Sequence, residues 1–133
     1  MSEFDYEAEI DVRFRDIDAM GHVNNAVYST YMEQARIGYI EDVAGADLRE
    51  YGVVIADLHV DFERPIEYGE SVTVRVRAGE LGTSSIPVEH VVLADGEVAA
   101  RAEAMLVTYD QEAGEAVPIP EEWRTHIRAH EGR

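Results

Sequence analysis

The chain has 133 residues, 46% of them hydrophobic and 8% aromatic, enough for a single globular domain over residues 1–133 with a core of its own. Cys and Lys are both absent, and 28 acidic residues stand against 11 Arg for a formal charge of −17. Disulfide scaffolds, Cys-ligated metals and Cys nucleophiles are therefore excluded, and the missing basic footprint argues against nucleic acid or an anionic membrane as partner.

In chain order, Ile10, Val12 and Phe14 alternate with Asp11, Arg13 and Arg15, the period of a half-buried strand. A polar turn over Asp16 to Asn24 follows. From Asn25 to about Val43 the period lengthens, with Tyr28, Tyr31, Met32, Ala35, Tyr39 and Val43 recurring at three and four residues before Gly45, which predicts one helix of roughly five turns. Leu58, Val60 and Phe62 then alternate with acids until Pro65, and Val72, Val74 and Val76 alternate with Thr73, Arg75 and Arg77. Two further runs, Ser85 to Ala94 and Glu97 to Tyr109, meet across Asp95-Gly96, a strong hairpin signal. Pro118 and Pro120 open a tail in which Glu121, Glu122 and Trp123 suit one helical turn. The expected order is β-α-β-β-β-β, an α+β antiparallel sheet covered on one face by a single long helix. Its open edges predict pairing with further copies of the chain, a homodimer or homotetramer.

The acids are dispersed along the chain rather than gathered in a tail. Such a coat repels itself in dilute buffer but is screened at molar ionic strength, where the Debye length is about 3 Å, and it reads as halophilic adaptation to a salt-rich cytoplasm. There is no run of 18 apolar residues, and the acidic N-terminal stretch lacks the pattern of a signal peptide. A cytoplasmic location is the expectation.

Chemistry concentrates between Phe14 and Arg36, FRDIDAMGHVNNAVYSTYMEQAR, which holds both Asn of the chain beside two carboxylates and a His. A turn leading into a helix presents unpaired N–H groups at the positive end of the helix dipole, where an oxyanion is stabilised. Asp18 stands beside it, and an acid or base next to an oxyanion site is the minimum equipment for hydrolysing an acyl group. Asp16 reads as a structural cap of the turn and Asn24 as a helix N-cap. Glu33 and Arg36, at i and i+3, read as a helix-surface ion pair. His59 and His90 fall on strands with nothing near them in sequence to recruit them. His126 and His130 have a spacing that could hold a metal but lack a third ligand, so no metal and no cofactor is expected.

Asp16, Asp18, Gly21, His22, Val23, Asn24, Asn25, Tyr28, Glu33, Ala35 and Arg36 together spell D-x-D-x-x-G-H-V-N-N-x-x-Y-x-x-x-x-E-x-A-R. This pattern resembles the signature of the hotdog-fold acyl thioesterases of the 4-hydroxybenzoyl-CoA thioesterase type. The stretch from Asp61 to Glu70 and the closing Val117-Pro118-Ile119-Pro120 are similar to the same family, so the likeness covers nearly the whole chain. It implies an acyl-CoA thioesterase with catalytic residues Asp18, His22 and Asn25. Asp18 would be nucleophile or water-activating base, the Asn25 N–H the donor to the thioester oxygen, and Gly21 the point of close approach. His22 matches the His of related plant acyl-carrier-protein thioesterases and would orient groups or transfer a proton. Two departures stand out: one bacterial branch has a His where this chain has Asn25, which cannot exchange a proton at neutral pH, and the plant branch has an Asn in place of Met20.

Substrate contacts are expected from Tyr28, Arg64, Ser84 and Ser85, with Arg75 and Arg77 as further cations near the coenzyme A phosphates. Glu33 is a reserve carboxylate, because another hotdog branch uses a helix Glu. The fold also hosts acyl-thioester hydratases and dehydratases, and a non-catalytic acyl-thioester-binding module is the alternative of another class.

Overall fold

A computed structural model describes residues 4–133. The elements run β1 (Tyr6–Ile10), a 3-10 turn (Phe14–Asp16), α1 (Asn25–Asp42), β2 (Gly52–Phe62), β3 (Val72–Ala78), β4 (Ser85–Ala94), β5 (Glu97–Asp110), the short β6 (Glu115–Ala116) and α2 (Glu121–Glu131). The antiparallel sheet has the order β1-β3-β4-β5-β2, with β6 added to β5. Strands that follow one another around α1 therefore lie at opposite edges, and the helix crosses the sheet between them. The β4–β5 hairpin turns at Asp95 and Gly96 with φ of 48° and 82°, the pair of positive values that a two-residue I′ turn requires.

The core is built from alternate residues of the strands. Val72, Val74, Val76 and Ala78 of β3, Ile86, Val88, Val92 and Ala94 of β4, and Ala100, Ala102 and Leu106 of β5 are buried against Tyr28, Tyr31, Met32, Ala35, Tyr39 and Ile40 of α1. Close packing explains a glycine inside α1: a Cβ on Gly38 would stand 2.5 Å from the Tyr6 hydroxyl, which reaches past the helix to donate to Asp42 Oδ2 at 3.0 Å. The outer face carries cross-strand ion pairs, Arg75 with Glu7, Arg77 with Glu89 and Arg101 with Glu63.

Two expectations need correction. The first strand lies earlier than the Ile10–Phe14 alternation, at Tyr6–Ile10, where it pairs with β3; Phe14 sits in the 3-10 turn and is 78% exposed. The turn wins because the Asp16 carboxylate accepts the Arg13 N–H at 2.9 Å, a local hydrogen bond that competes with strand pairing. Helix α1 is also not the sole helix: the tail forms three turns rather than one. Trp123 and Ile127 of α2 are buried in the main core. Glu131 on its last turn accepts from the Tyr39 hydroxyl at 2.5 Å and the Ala78 N–H at 3.0 Å, and Gly132 supplies the left-handed cap.

Trp123→Ala is expected to lower the unfolding free energy by about 3–5 kcal/mol, and Thr125→Ala, exposed on the same helix, by less than about 0.5 kcal/mol. Urea titrations followed by circular dichroism check the contrast.

Candidate active site at the start of the long helix

The buried Asp16 carboxylate fixes the turn before α1. Its Oδ2 accepts from the Arg13 N–H and from the Tyr31 hydroxyl at 2.7 Å, and its carbonyl accepts the Asn24 N–H at 2.9 Å. Burial alone would raise the pKa of Asp16, but these donors, with Arg13 and Arg15 close by, hold it below the usual carboxylate value. Tyr31 responds in the opposite direction: burial and the bond to Asp16 push its hydroxyl up. Asp16 is thus a structural clamp, as expected.

Asp18 is different. It is exposed, and its Oδ1 accepts the backbone N–H of Met20 at 2.9 Å and of His22 at 3.3 Å, an Asx turn closed by Gly21 at φ 83°. Its Oδ2 accepts no hydrogen bond among the described residues. The turn is pinned from the other side by the loop after β2, where His22 bridges Glu67 and the Val23 N–H donates to the Ile66 carbonyl at 2.8 Å. One carboxylate oxygen is held and the other is presented to solvent.

Helix α1 opens beside it. Asn24 is the N-cap and accepts the Ala26 N–H at 2.9 Å, while the Val27 N–H bonds the Asn24 carbonyl. The Asn25 N–H donates to nothing among the described residues, so the first amide of the helix is left for an incoming acceptor. The structure therefore gathers Asp18, Gly21, His22 and Asn25 at one turn, with the half-buried His22 imidazole making no hydrogen bond to another described residue.

The remaining candidates are placed less simply. Tyr28 is buried and directs its hydroxyl to the Arg64 carbonyl at 3.3 Å, its ring packed edge-on to Phe62 at 5.0 Å; burial raises its pKa. Arg64 is engaged by both oxygens of Glu70 at 2.6 and 3.1 Å and by the carbonyls of Pro65 and Ala94. That bidentate bond raises the Arg64 pKa and lowers that of Glu70. In the sequence Glu70 is marked only by its place in the Asp61 to Glu70 stretch and by its six-residue spacing from Arg64. Ser84 and Ser85 lie at the opposite end of β4 from Ala94, roughly 30 Å away for nine strand residues at about 3.3 Å each, in a turn held by Arg124 through the Gly82 and Thr83 carbonyls. Within one chain they do not meet Asp18.

Glu33 and Arg36 form the expected i, i+3 ion pair, but only Glu33 is at the surface. Their closest atoms are 3.8 Å apart, Glu33 is in solvent and Arg36 is 6% exposed. His90, unassigned in the sequence, is buried in β4 in the same alternation as Ile86, Val88 and Val92. His59 meets Asp61 at 3.1 Å on the outer face, and His126 donates to the Ala44 carbonyl. No three His, Asp or Glu side chains converge as a metal site among the described residues.

Comparison with known proteins gives this geometry a context. The family model described as the thioesterase-like superfamily matches residues 12–127. A crystal structure described as a thioesterase complexed with coenzyme A and Zn, from Thermus thermophilus, is 44% identical, with a TM-score of 0.88 over 100% of this chain and 98% of that one. The long-chain acyl-CoA thioesterase FadM of Escherichia coli is 26% identical over 126 residues, 91% of this chain and 96% of its own. A chloroplastic acyl-acyl carrier protein thioesterase of Arabidopsis thaliana, ATL3, is 31% identical over 97 residues, 69% of this chain and 50% of that protein. The α+β fold with its antiparallel sheet and two helices is a hotdog fold.

Because the Asp16 pKa is depressed in the folded state, its contribution to stability is complete above the unfolded carboxylate pKa and is lost as pH falls through the folded value. Tyr31→Phe removes one donor, so acid unfolding is expected to begin at a higher pH than in wild type; an unchanged acid midpoint would sink the clamp.

Proposed function

The chain belongs to the thioesterase-like superfamily, and on that premise we propose that this thioester hydrolase cleaves acyl-CoA to a free acid and a thiol at the Asp18 turn. The observation that carries this reading is the pairing of a half-free carboxylate with an unengaged amide at a helix N-terminus. The thioester carbonyl oxygen would accept the Asn25 N–H, where the helix dipole favours the negative charge that develops there. Asp18 would attack the carbonyl carbon, expelling the thiolate as the C–S bond breaks and leaving a mixed anhydride that water then hydrolyses, or it would take a proton from a water that attacks the carbonyl carbon and expels the thiolate directly. The leaving thiolate needs little protonation, since thiol pKa values lie only about 1.5 units above neutrality. His22, in the same turn, would orient the water or return the proton.

The coenzyme A side calls for a second chain. Strand β2 is an eleven-residue edge with Val54, Ile55, Leu58 and Phe62 exposed, a surface that proteins normally cover. Its Val54 end is in register with Val107, which also pairs with Ser85, and its Phe62 end lies against Tyr28 near the Asp18 turn. Antiparallel pairing of β2 with its own copy sets the Val54 end of one chain beside the Phe62 end of the other. The Ser84–Ser85 turn of a second copy thereby approaches Asp18, giving a homodimer, or a tetramer of two such pairs, with composite sites. Salt-rich cytoplasm fits the charge of −17, because screening lets a polyphosphate approach an acidic coat.

Thiol release from a panel of acyl-CoAs in molar KCl tests the assignment. Asp18→Asn keeps the acceptor for Met20 and His22 and should leave the fold intact while lowering turnover at least about a hundredfold; near wild-type activity would transfer the role to another carboxylate, Glu33 first. Ile55→Arg, at the β2 edge, is expected to give a particle of single-chain mass, 14.9 kDa, with little turnover. Sedimentation of both proteins in the same salt decides whether assembly and activity are lost together.

A further inference from the structure

Arg36 and His90 form the most unusual pair in the interior. The Arg36 side chain makes no hydrogen bond among the described residues and its Nη1 is buried without a partner, while the buried His90 ring has at most a weak contact with the Ala102 backbone. They are 6% and 1% exposed. The two are close enough for the Arg36 charge, together with the larger effect of burial, to lower the His90 pKa to about 4, so His90 is a neutral donor and acceptor at ordinary pH. Most other interior and strand arginines have a carboxylate within ion-pair distance: Arg64 has Glu70, Arg75 has Glu7, Arg77 has Glu89 and Arg101 has Glu63. Arg36 has only Glu33, at 3.8 Å and turned to water.

The location of the pair is informative. Asn25, Ser29, Met32 and Arg36 follow one another at i, i+4, i+7 and i+11, a single stripe of α1. The stripe turns away from β1, which meets the helix through Tyr6, Gly38 and Asp42, and toward the β5–β2 side of the sheet. There the helix-facing residues Phe62, Val60, Leu58 and Ile55 of β2 remain partly open to solvent. Phe62 lies at the level of Tyr28, and His90 shares a cross-strand row with Ala102 and Val60, one side-chain step further, roughly 7 Å along the strands. Arg36 is about 16 Å along the helix axis from Asn25, and helical side chains lean back toward the N-terminus. A chain whose carbonyl sits at Asn25 and whose tail runs down this apolar shelf ends at Arg36 and His90.

We infer that Arg36 and His90 receive an anionic group at the far end of the acyl chain, making ω-carboxyacyl thioesters the preferred substrates. This rests on the thioester reading of the Asp18 turn and names the substrate class of that site. A carboxylate satisfies the orphaned Arg36 donor, with the neutral His90 ring beside it, and an unsubstituted alkyl tail leaves that donor unsatisfied. In a chain with charge −17, a buried guanidinium whose Nη1 has no partner is also what makes a negatively charged tail acceptable.

The test pairs succinyl-, glutaryl-, adipoyl- and suberyl-CoA each with the unsubstituted acyl-CoA of equal carbon number, assayed by thiol release in molar KCl with wild type and Arg36→Met. Wild type should favour at least one dicarboxylic member over its partner by about tenfold or more in kcat/KM, the size of a charge-assisted hydrogen bond. Arg36→Met should bring that ratio to within about twofold. Equal or reversed preference in wild type overturns the inference and leaves the hydrolase intact; no hydrolysis of any member overturns the hydrolase reading itself. If Arg36→Met fails to fold by circular dichroism, the wild-type ratio still decides, and a folded variant that keeps the preference removes Arg36 from the subsite.

Discussion

One helix cannot cover a six-stranded antiparallel sheet, and the architecture follows from where the shortage falls. Helix α1 lies on β1, β3 and β4, anchored by the Tyr6 hydroxyl crossing Gly38 on one flank. The β2 edge is left with an apolar row half in water. A sheet face of that kind is stable only if something else occupies it. The open side is also the side on which the helix begins, so the free amide of Asn25, the Asp18 turn and the exposed shelf share one flank. The second helix relieves the shortage at the far end only, where Trp123 and Ile127 close the core.

Much of this was legible in the sequence because it is encoded locally. The Asp95-Gly96 turn, the alternation of β3 and the three-four periodicity of α1 need no tertiary information. The Asp18 turn was equally readable, since an Asp two residues before its first N–H donor and four before its second builds an Asx turn from its own segment. What failed depends on partners distant in sequence. The position of β1 is set by pairing with β3, some 65 residues later, and the three-turn α2 by burial of Trp123 and Ile127. The ion pair of Arg36 with Glu33 was legible but the burial of Arg36 was not, because the i, i+3 relation says nothing about which side of the helix is covered. Only the packed sheet makes it interior, and only then does His90 become its neighbour.

Charge is divided between two roles. On the outer face, carboxylates and arginines alternate across strands and are individually weak, as exposed pairs are. At the site, single charges are placed among fixed partners: the Asp16 carboxylate under two donors, Arg64 locked to Glu70, Asp18 with one oxygen held. The acidic coat governs which ions gather around the molecule, whereas these few buried or half-buried groups set the chemistry. Replacing Lys throughout by Arg suits the second role, because a guanidinium keeps its charge when buried and binds carboxylates in a fork.

The strand order carries a consequence for how the molecule forms. β3, β4 and β5 are a meander of neighbours joined by short connections, which closes with little loop entropy. β1 must join β3 and β2 must join β5 across separations of roughly forty to seventy residues, the slow kind of contact. The Asp18 turn and the shelf both hang on those late pairings, through the 66–67 loop and the β2 edge. A chain halted partway would thus hold an intact central hairpin and no working centre, so the appearance of turnover during refolding marks the final docking of the two outer strands rather than collapse of the core.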